Sequence, residues 1–101
     1  RIPTRINGFN LTEVGASVST VSSSGAVTVQ IRRVRSGTPV DMLSTALTID
    51  ASETDSSTAA TAAVINTSND DIATADQIYI DIDGAGTGTK GLFITLTFTL
   101  P

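Results

Sequence analysis

Along much of this chain apolar and polar residues alternate with a period of two, the pattern of strands with one face buried. The clearest run closes the chain: Leu92, Ile94, Leu96, Phe98 and Leu100 fall on one face, and Phe93, Thr95, Thr97 and Thr99 on the other. Just upstream, Ile78, Ile80 and Ile82 alternate with Gln77, Tyr79 and Asp81, which predicts a second strand of the same kind. The glycine-rich stretch between them reads as the long connection of a hairpin that sets Ile82 opposite Leu92. A third strand is predicted from Ala26 to Arg35, with Val27, Val29 and Ile31 inward and Thr28, Gln30 and Arg32 outward. Strict alternation would bury Arg33, so a bulge near Arg32 and Arg33 is expected to turn Val34 to the core instead.

Elsewhere the pattern is weaker. Leu11 to Val21 reads as a looser strand containing Gly15 and ended by Ser22-Ser23-Ser24-Gly25, and short strands are expected around Met42-Leu43 and Leu47-Ile49. Residues 58 to 65 mix alanines, which favour helix, with threonines and a Val64-Ile65 ending, which favour extended chain. A strand at Ala63 to Asn66 and one helical turn at Asp70 to Thr74 are expected there. Several short strands between turn signals, with no long helical period, predict an all-β fold: an antiparallel β-sandwich, jelly-roll-like, of about eight short strands with long loops. A barrel is the alternative. No repeat or linker divides the chain, so residues 1–101 read as a single domain, and the start at Arg1 suggests the C-terminal part of a longer chain.

Composition changes this picture mainly by exclusion. A chain of 101 residues buries roughly 60 to 65% of the surface its unfolded form exposes, enough for one core. The formal net charge is −4 and the pI about 4.3, so no broad positive field exists to collect nucleic-acid phosphates. Cysteine is absent, which removes disulfides and thiolate metal sites. Histidine is absent too, and with it the commonest general base and any Ser-His-Asp arrangement. No apolar run is long enough for insertion into a membrane.

Several constellations invite a chemical reading. Gly86-Thr87-Gly88-Thr89-Lys90-Gly91 fits the spacing G-x-G-x-x-G, but a phosphate loop needs a helix N-terminus after it and here a strand follows. The glycines are therefore expected to shape a turn, and no cofactor is expected. Asp81-Ile82-Asp83-Gly84 resembles the opening of a calcium loop, yet Ala85 stands where a third ligand is needed and Leu92 where the closing glutamate belongs. A non-helical calcium site from Asp50, Glu53, Asp55, Asp81 and Asp83 is the weak metal candidate, set against solvated acidic loops and turn caps. The same acids could form the carboxylate pair of a carbohydrate-processing enzyme, although few aromatics exist to line a sugar cleft. Arg32, Arg33 and Arg35 form the one basic cluster, which either pairs with acids along a strand or offers an interaction surface. Tyr79 and Phe93, outward on strands read as neighbours, are candidates for sugar stacking or for a subunit contact.

The pieces Asp41-Met42-Leu43-Ser44-Thr45, Leu47-Thr48-Ile49-Asp50, Asn69-Asp70-Asp71-Ile72-Ala73-Thr74 and Thr89-Lys90-Gly91-Leu92 resemble a module recurring in structural proteins of tailed bacteriophages. The resemblance runs over essentially the whole chain; it departs at Ala75, where the family usually has glycine. What it implies is a non-enzymatic structural component of the virion, exposed on the extracellular phage particle, with a further strand before the Arg1-Ile2-Pro3 segment. A tail-fibre or host-attachment module would be a trimer that meets other virion proteins and a host-surface glycan or protein. A capsid decoration, or cement, protein on the outer head surface is the alternative, and a carbohydrate-processing enzyme the distant one. No catalytic residue carries over.

Overall fold

The alternating run that begins at Val27 becomes the central strand. In the computed structural model, which describes Arg1–Pro101, Val27–Arg35 forms a nine-residue strand whose inward residues Val27, Val29, Ile31 and Arg33 are all buried. In chain order the strands are β1 (Asn10–Ser17), β2 (Val27–Arg35), β3 (Thr38–Asp41), β4 (Leu43–Thr45), β5 (Leu47–Ile49), β6 (Val64–Ile65), β7 (Gln77–Ala85) and β8 (Phe93–Thr99). Two short 3₁₀ turns, at Thr4–Ile6 and Ser56–Thr58, complete the regular structure. The result is an all-β antiparallel sandwich that does not close into a barrel.

One layer is organised around β2. Along one edge it pairs with β7, from Val27 opposite Ala85 to Val34 opposite Gln77. The other edge is shared: β5 takes Val27 to Val29, and β3 takes Arg32 to Arg35. β3 returns directly from β2 through Ser36 and Gly37, both at positive φ (51° and 79°), as the right-handed twist of a two-residue hairpin requires. Between β3 and β5 the side chain of Gln30 substitutes for a strand. Its Oε1 accepts from Ile31 N and Leu43 N, and its Nε2 donates to Leu43 O. A primary amide presents the same donor and acceptor as a peptide group, so it fills the ladder where the backbone cannot.

The second layer is β1 paired with β8. Leu11 faces Phe98, Val14 faces Leu96 and Ala16 faces Ile94, which puts six apolar side chains on one face. Leu11 and Val14 can share that face because the register shifts between Leu11 and Glu13, making Thr12 the extra residue of a bulge. The two layers meet over one cluster that includes Leu11 and Ala16 from β1, Val27, Val29 and Ile31 from β2, and Leu47 and Ile49 from β5. Met42, Leu43 and Ile72 extend it towards the small β4–β6 ladder and the segment before β7.

Three expectations are corrected. The hairpin between Gln77–Asp81 and the final strand does not form: β7 pairs with β2, where Ile82 meets Val29, and β8 pairs with β1 in the other layer. Both strands have an apolar face to bury, and placing them in different layers directs both faces between the sheets. The connection is a crossover fastened to Ser19–Ser23 by Lys90 N to Thr20 O, Ser19 N and Thr20 N to Lys90 O, and Ser23 N to Thr87 O. The bulge expected at Arg32 and Arg33 is also absent. Alternation continues, Arg33 is buried at 7% exposure and Val34 is only half-buried. Nor do residues 70 to 74 form a helical turn; 70 to 72 run beside the start of β1, with Leu11 N bonded to Asp70 O and Ile72 N to Phe9 O, and a tight turn at 74–75 follows, closed by Asp76 N to Ala73 O.

Glycines in the crossover are required for two different reasons. Gly88 (φ +75°) has open space around it, whereas at Gly91 (φ +69°) a Cβ would lie 2.8 Å from Ser19 Cβ and closer still to its hydroxyl. Gly88→Ala should therefore lose about 1 kcal/mol through backbone strain alone, and Gly91→Ala about 2–4 kcal/mol because crowding adds to the strain. Urea unfolding midpoints of the two variants measure the difference; equal losses would show that the Ser19 contact is unimportant.

Candidate interaction surface and ion-pair network

Polar groups with specific partners concentrate at the C-terminal end of β2. Arg33 points into the sandwich, and its Nη1 donates to the Asp71 carbonyl and, at 3.0 Å, to Asp71 Oδ1. Arg35, two residues on, donates from Nη2 to Asp71 Oδ2 at 3.2 Å and to Asp76 Oδ2 at 2.8 Å, and from Nε to Asp76 Oδ1 at 3.0 Å. The last two bonds form a two-pronged fork onto one carboxylate, a geometry specific to guanidinium. Arg32 faces the opposite side of the sheet and lies 3.1 Å from Asp41 and 3.7 Å from Asp81. All three arginines are thus paired with acids along the strand.

The network sets the protonation of its members. The hydrogen bond from Arg35 is the main influence on the buried Asp76 carboxyl and, with the backbone N–H of Ala73, holds it below the ordinary carboxylate value despite burial. At Asp71 burial pushes upward, but the hydrogen bond and charge of Arg33, joined by Arg35, outweigh it and the net shift is also downward. The Arg35 guanidinium is correspondingly raised, chiefly by its hydrogen bond to Asp76.

The acids considered for calcium are distributed differently. Asp50 Oδ2 accepts from Ala60 N, Glu53 Oε1 from the Thr58 hydroxyl, and Asp55 Oδ1 from Ser57 N, so these three tie down the loop after β5. Asp81 sits beside Arg32 on β7, and Asp83 is exposed further along the same strand. No three of the chain's Asp and Glu side chains converge as a metal-binding group. The largest hollow, a groove of about 650 Å³ between β1 and the loop carrying Ser56–Thr58, is bordered by Glu13 and Asp55. Backbone and side-chain hydrogen bonds from Ser57 lower the Asp55 carboxyl, the opposite of what a general acid for glycoside cleavage needs.

Tyr79 and Phe93 are exposed at 53% and 66%, yet they do not form one patch. Tyr79 alternates with the inward isoleucines of β7 and Phe93 precedes the inward Ile94 of β8, so each lies on the outer face of a different layer. The loop read as G-x-G-x-x-G leads from β7 into β8 with no helix end in it. Its backbone groups are engaged by Ser19, Thr20, Ser22 and Ser23. The feature that sequence reasoning missed is an open side of the sandwich, where Ile80 and Ile82 of β7 are 41% and 51% exposed although they occupy its inner face. A hollow of about 190 Å³ lies next to it, lined by Val27, Ile82, Lys90 and Leu92 among others. The alternating isoleucines were legible; that their strand would be left at an edge was not.

Comparison with family models, curated proteins and solved structures gives no match to this chain.

The ion-pair network makes stability depend on pH in a defined direction. Asp71 and Asp76 have folded values below those of the unfolded chain, so their contribution is present above the ordinary carboxylate range, near pH 4, and is lost as pH falls through the folded values. Asp76→Asn should lower stability at pH 7 by about 2 kcal/mol, a value moderated by the half-exposed guanidinium of Arg35. The variant should also show a flatter decline between roughly pH 4 and 2. Urea titrations of both proteins across that range measure this, and parallel acid profiles would remove Asp76 as a source of the dependence.

Proposed function

We propose that this chain is a non-enzymatic structural component of a bacteriophage virion, serving as a tail-fibre or host-attachment module. The observation that carries the proposal furthest is the open side of the sandwich, where the free edge of β7 and its exposed isoleucines invite completion by another polypeptide. The sequence resemblance to phage structural modules points the same way. Chemistry is consistent with it: the arginines and most loop carboxylates are engaged in holding the chain's own loops. The outer face of β8 presents Thr95, Thr97 and Thr99, a neutral hydroxyl surface suited to an exposed particle or to contact with a glycan. Its partners are other virion proteins, further copies of itself and a host-surface glycan or protein, and its place is the extracellular particle.

Gold-labelled antibody raised against residues 1–101, applied to purified particles and viewed by electron microscopy, tests this. Label confined to the tail is the expected outcome. Uniform label over the head would replace attachment by capsid decoration, and particles free of label would sink the virion assignment.

A further inference from the structure

The unpaired edge of β7 has a definite hydrogen-bonding pattern. On β2, Ile31 O accepts from Met42 N and Ile31 N donates to Gln30 Oε1, so the backbone of Ile31 points away from β7. Its neighbours Gln30 and Arg32 must then point towards β7, where they lie opposite Asp81 and Tyr79. The backbone groups of Ile78, Ile80 and Ile82 consequently face out of the free edge, while their side chains lie on the inner, apolar face of the sheet. At the start of that edge Ile2 N bonds to Asp76 O, which leaves the stretch from Ile78 to Ile82 open. None of the usual edge guards, a lysine, a proline or an inward charge, occurs between Gln77 and Ile82.

We propose that this edge is a self-association surface, on which β7 of one copy pairs antiparallel with β7 of a second copy about a two-fold axis through Ile80. The strand is self-complementary in that register. Ile80 meets Ile80, Ile78 meets Ile82 and Tyr79 meets Asp81, while the bulge that leaves Asp83 without a partner on β2 ends the regular ladder just beyond, so no acid faces an acid and the isoleucines form one continuous apolar row. Centring the pair on Asp81 instead sets two carboxylates directly opposite each other, which is destabilising. Centring it on Tyr79 drives Ile82 onto the position next to Asp76, already occupied by Ile2. Such a pair is isologous; a trimer would require β7 to meet a different edge of the next copy. The inference goes beyond the virion reading and does not depend on it.

Sedimentation equilibrium of the 101-residue chain at roughly 0.5 mM, high enough to populate sub-millimolar association, should give twice the 10.4 kDa monomer mass. Ile80→Lys should retain the strand signal in circular dichroism and weaken the association at least about tenfold. Because the chain has no cysteine, Ile80→Cys supplies a second readout. Opposed residues of a hydrogen-bonded antiparallel pair have Cα atoms about 5.5 Å apart, within disulfide range, so mild oxidation should yield a covalent dimer. Thr95→Cys on the outer face of β8 should not. A wild-type monomer at all concentrations, a trimer, a dimer unaffected by Ile80→Lys, or no cross-link through Ile80→Cys would each overturn the proposal.

Discussion

The architecture depends on a charge carried into the sandwich at the end of its central strand. Arg33 is inward because β2 alternates without interruption, and Asp71 is present to receive it. That pairing fixes the segment from Asp70 to Asp76, which in turn holds three other parts of the chain. Leu11 N bonds to Asp70 O, Gly8 N to Ile72 O, and Ile2 N to Asp76 O. The β1–β8 layer, the N-terminal segment and the β2 layer are therefore joined through one loop whose own anchor is a pair of guanidinium groups. The pair is only partly buried, Arg33 being enclosed while the Asp71 side chain is half exposed, and desolvation of the guanidinium offsets much of the attraction, so it is a weak source of net stability. Its effect here is to specify where the loop sits, and breaking it would strand a charge beside Ile72, itself buried at 1% exposure.

The sandwich is closed on one side and open on the other because its loops are distributed unevenly. On the β1 side, the 3₁₀ turn at Ser56–Thr58 covers the strand, with Ala16 N bonded to Ser56 Oγ and Val18 N to Thr54 O. Asp50, Glu53 and Asp55 shape that loop, so its acids act through folding. On the β7 side no loop of comparable length is available, since the chain leaves Ala85 directly for the crossover and the next layer. Apolar residues that alternate correctly thus end up half in water, because β2 supplies a neighbour on only one edge.

How much of this was legible in the sequence follows from the range of the interactions. Period-two runs identified the inward residues of β2, β7 and β8, since a strand's two faces are determined locally. Partner choice is non-local, and there the pattern misleads: adjacency in sequence and matching apolar faces suggest a hairpin between Ile82 and Leu92, whereas Ile82 pairs with Val29 of β2 and the last strand, through Ile94, with Ala16 of β1. The Ser36-Gly37 turn carried a usable signal, a glycine-containing pair between polar residues, that would have revealed β3. Alternation alone buries Arg33, and the bulge expected to give Val34 the core position instead is absent. The compensating partner lies thirty-eight residues on, at Asp71, beyond the reach of any local pattern. For the acids the local reading served better, because turn capping by Asp55 involves a residue two positions away.

The polar groups with specific partners are held in defined protonation states. Arg35 is held by two carboxylates, Asp76 by a fork and a backbone amide, and Asp55 by Ser57, each in the charged state that its bonds favour. A proton-transfer group needs the reverse, an environment that brings its two protonation states close in energy at working pH. The paired arginines and acids join loops and strands of the chain itself, whereas along the outer edge of β7 backbone amides and carbonyls lie beside exposed isoleucines. Main-chain edges recognise extended polypeptide through hydrogen bonds in register, with side chains selecting the alignment. On β7 Asp81 would supply that selection, since it tolerates tyrosine opposite it and disfavours a second carboxylate there.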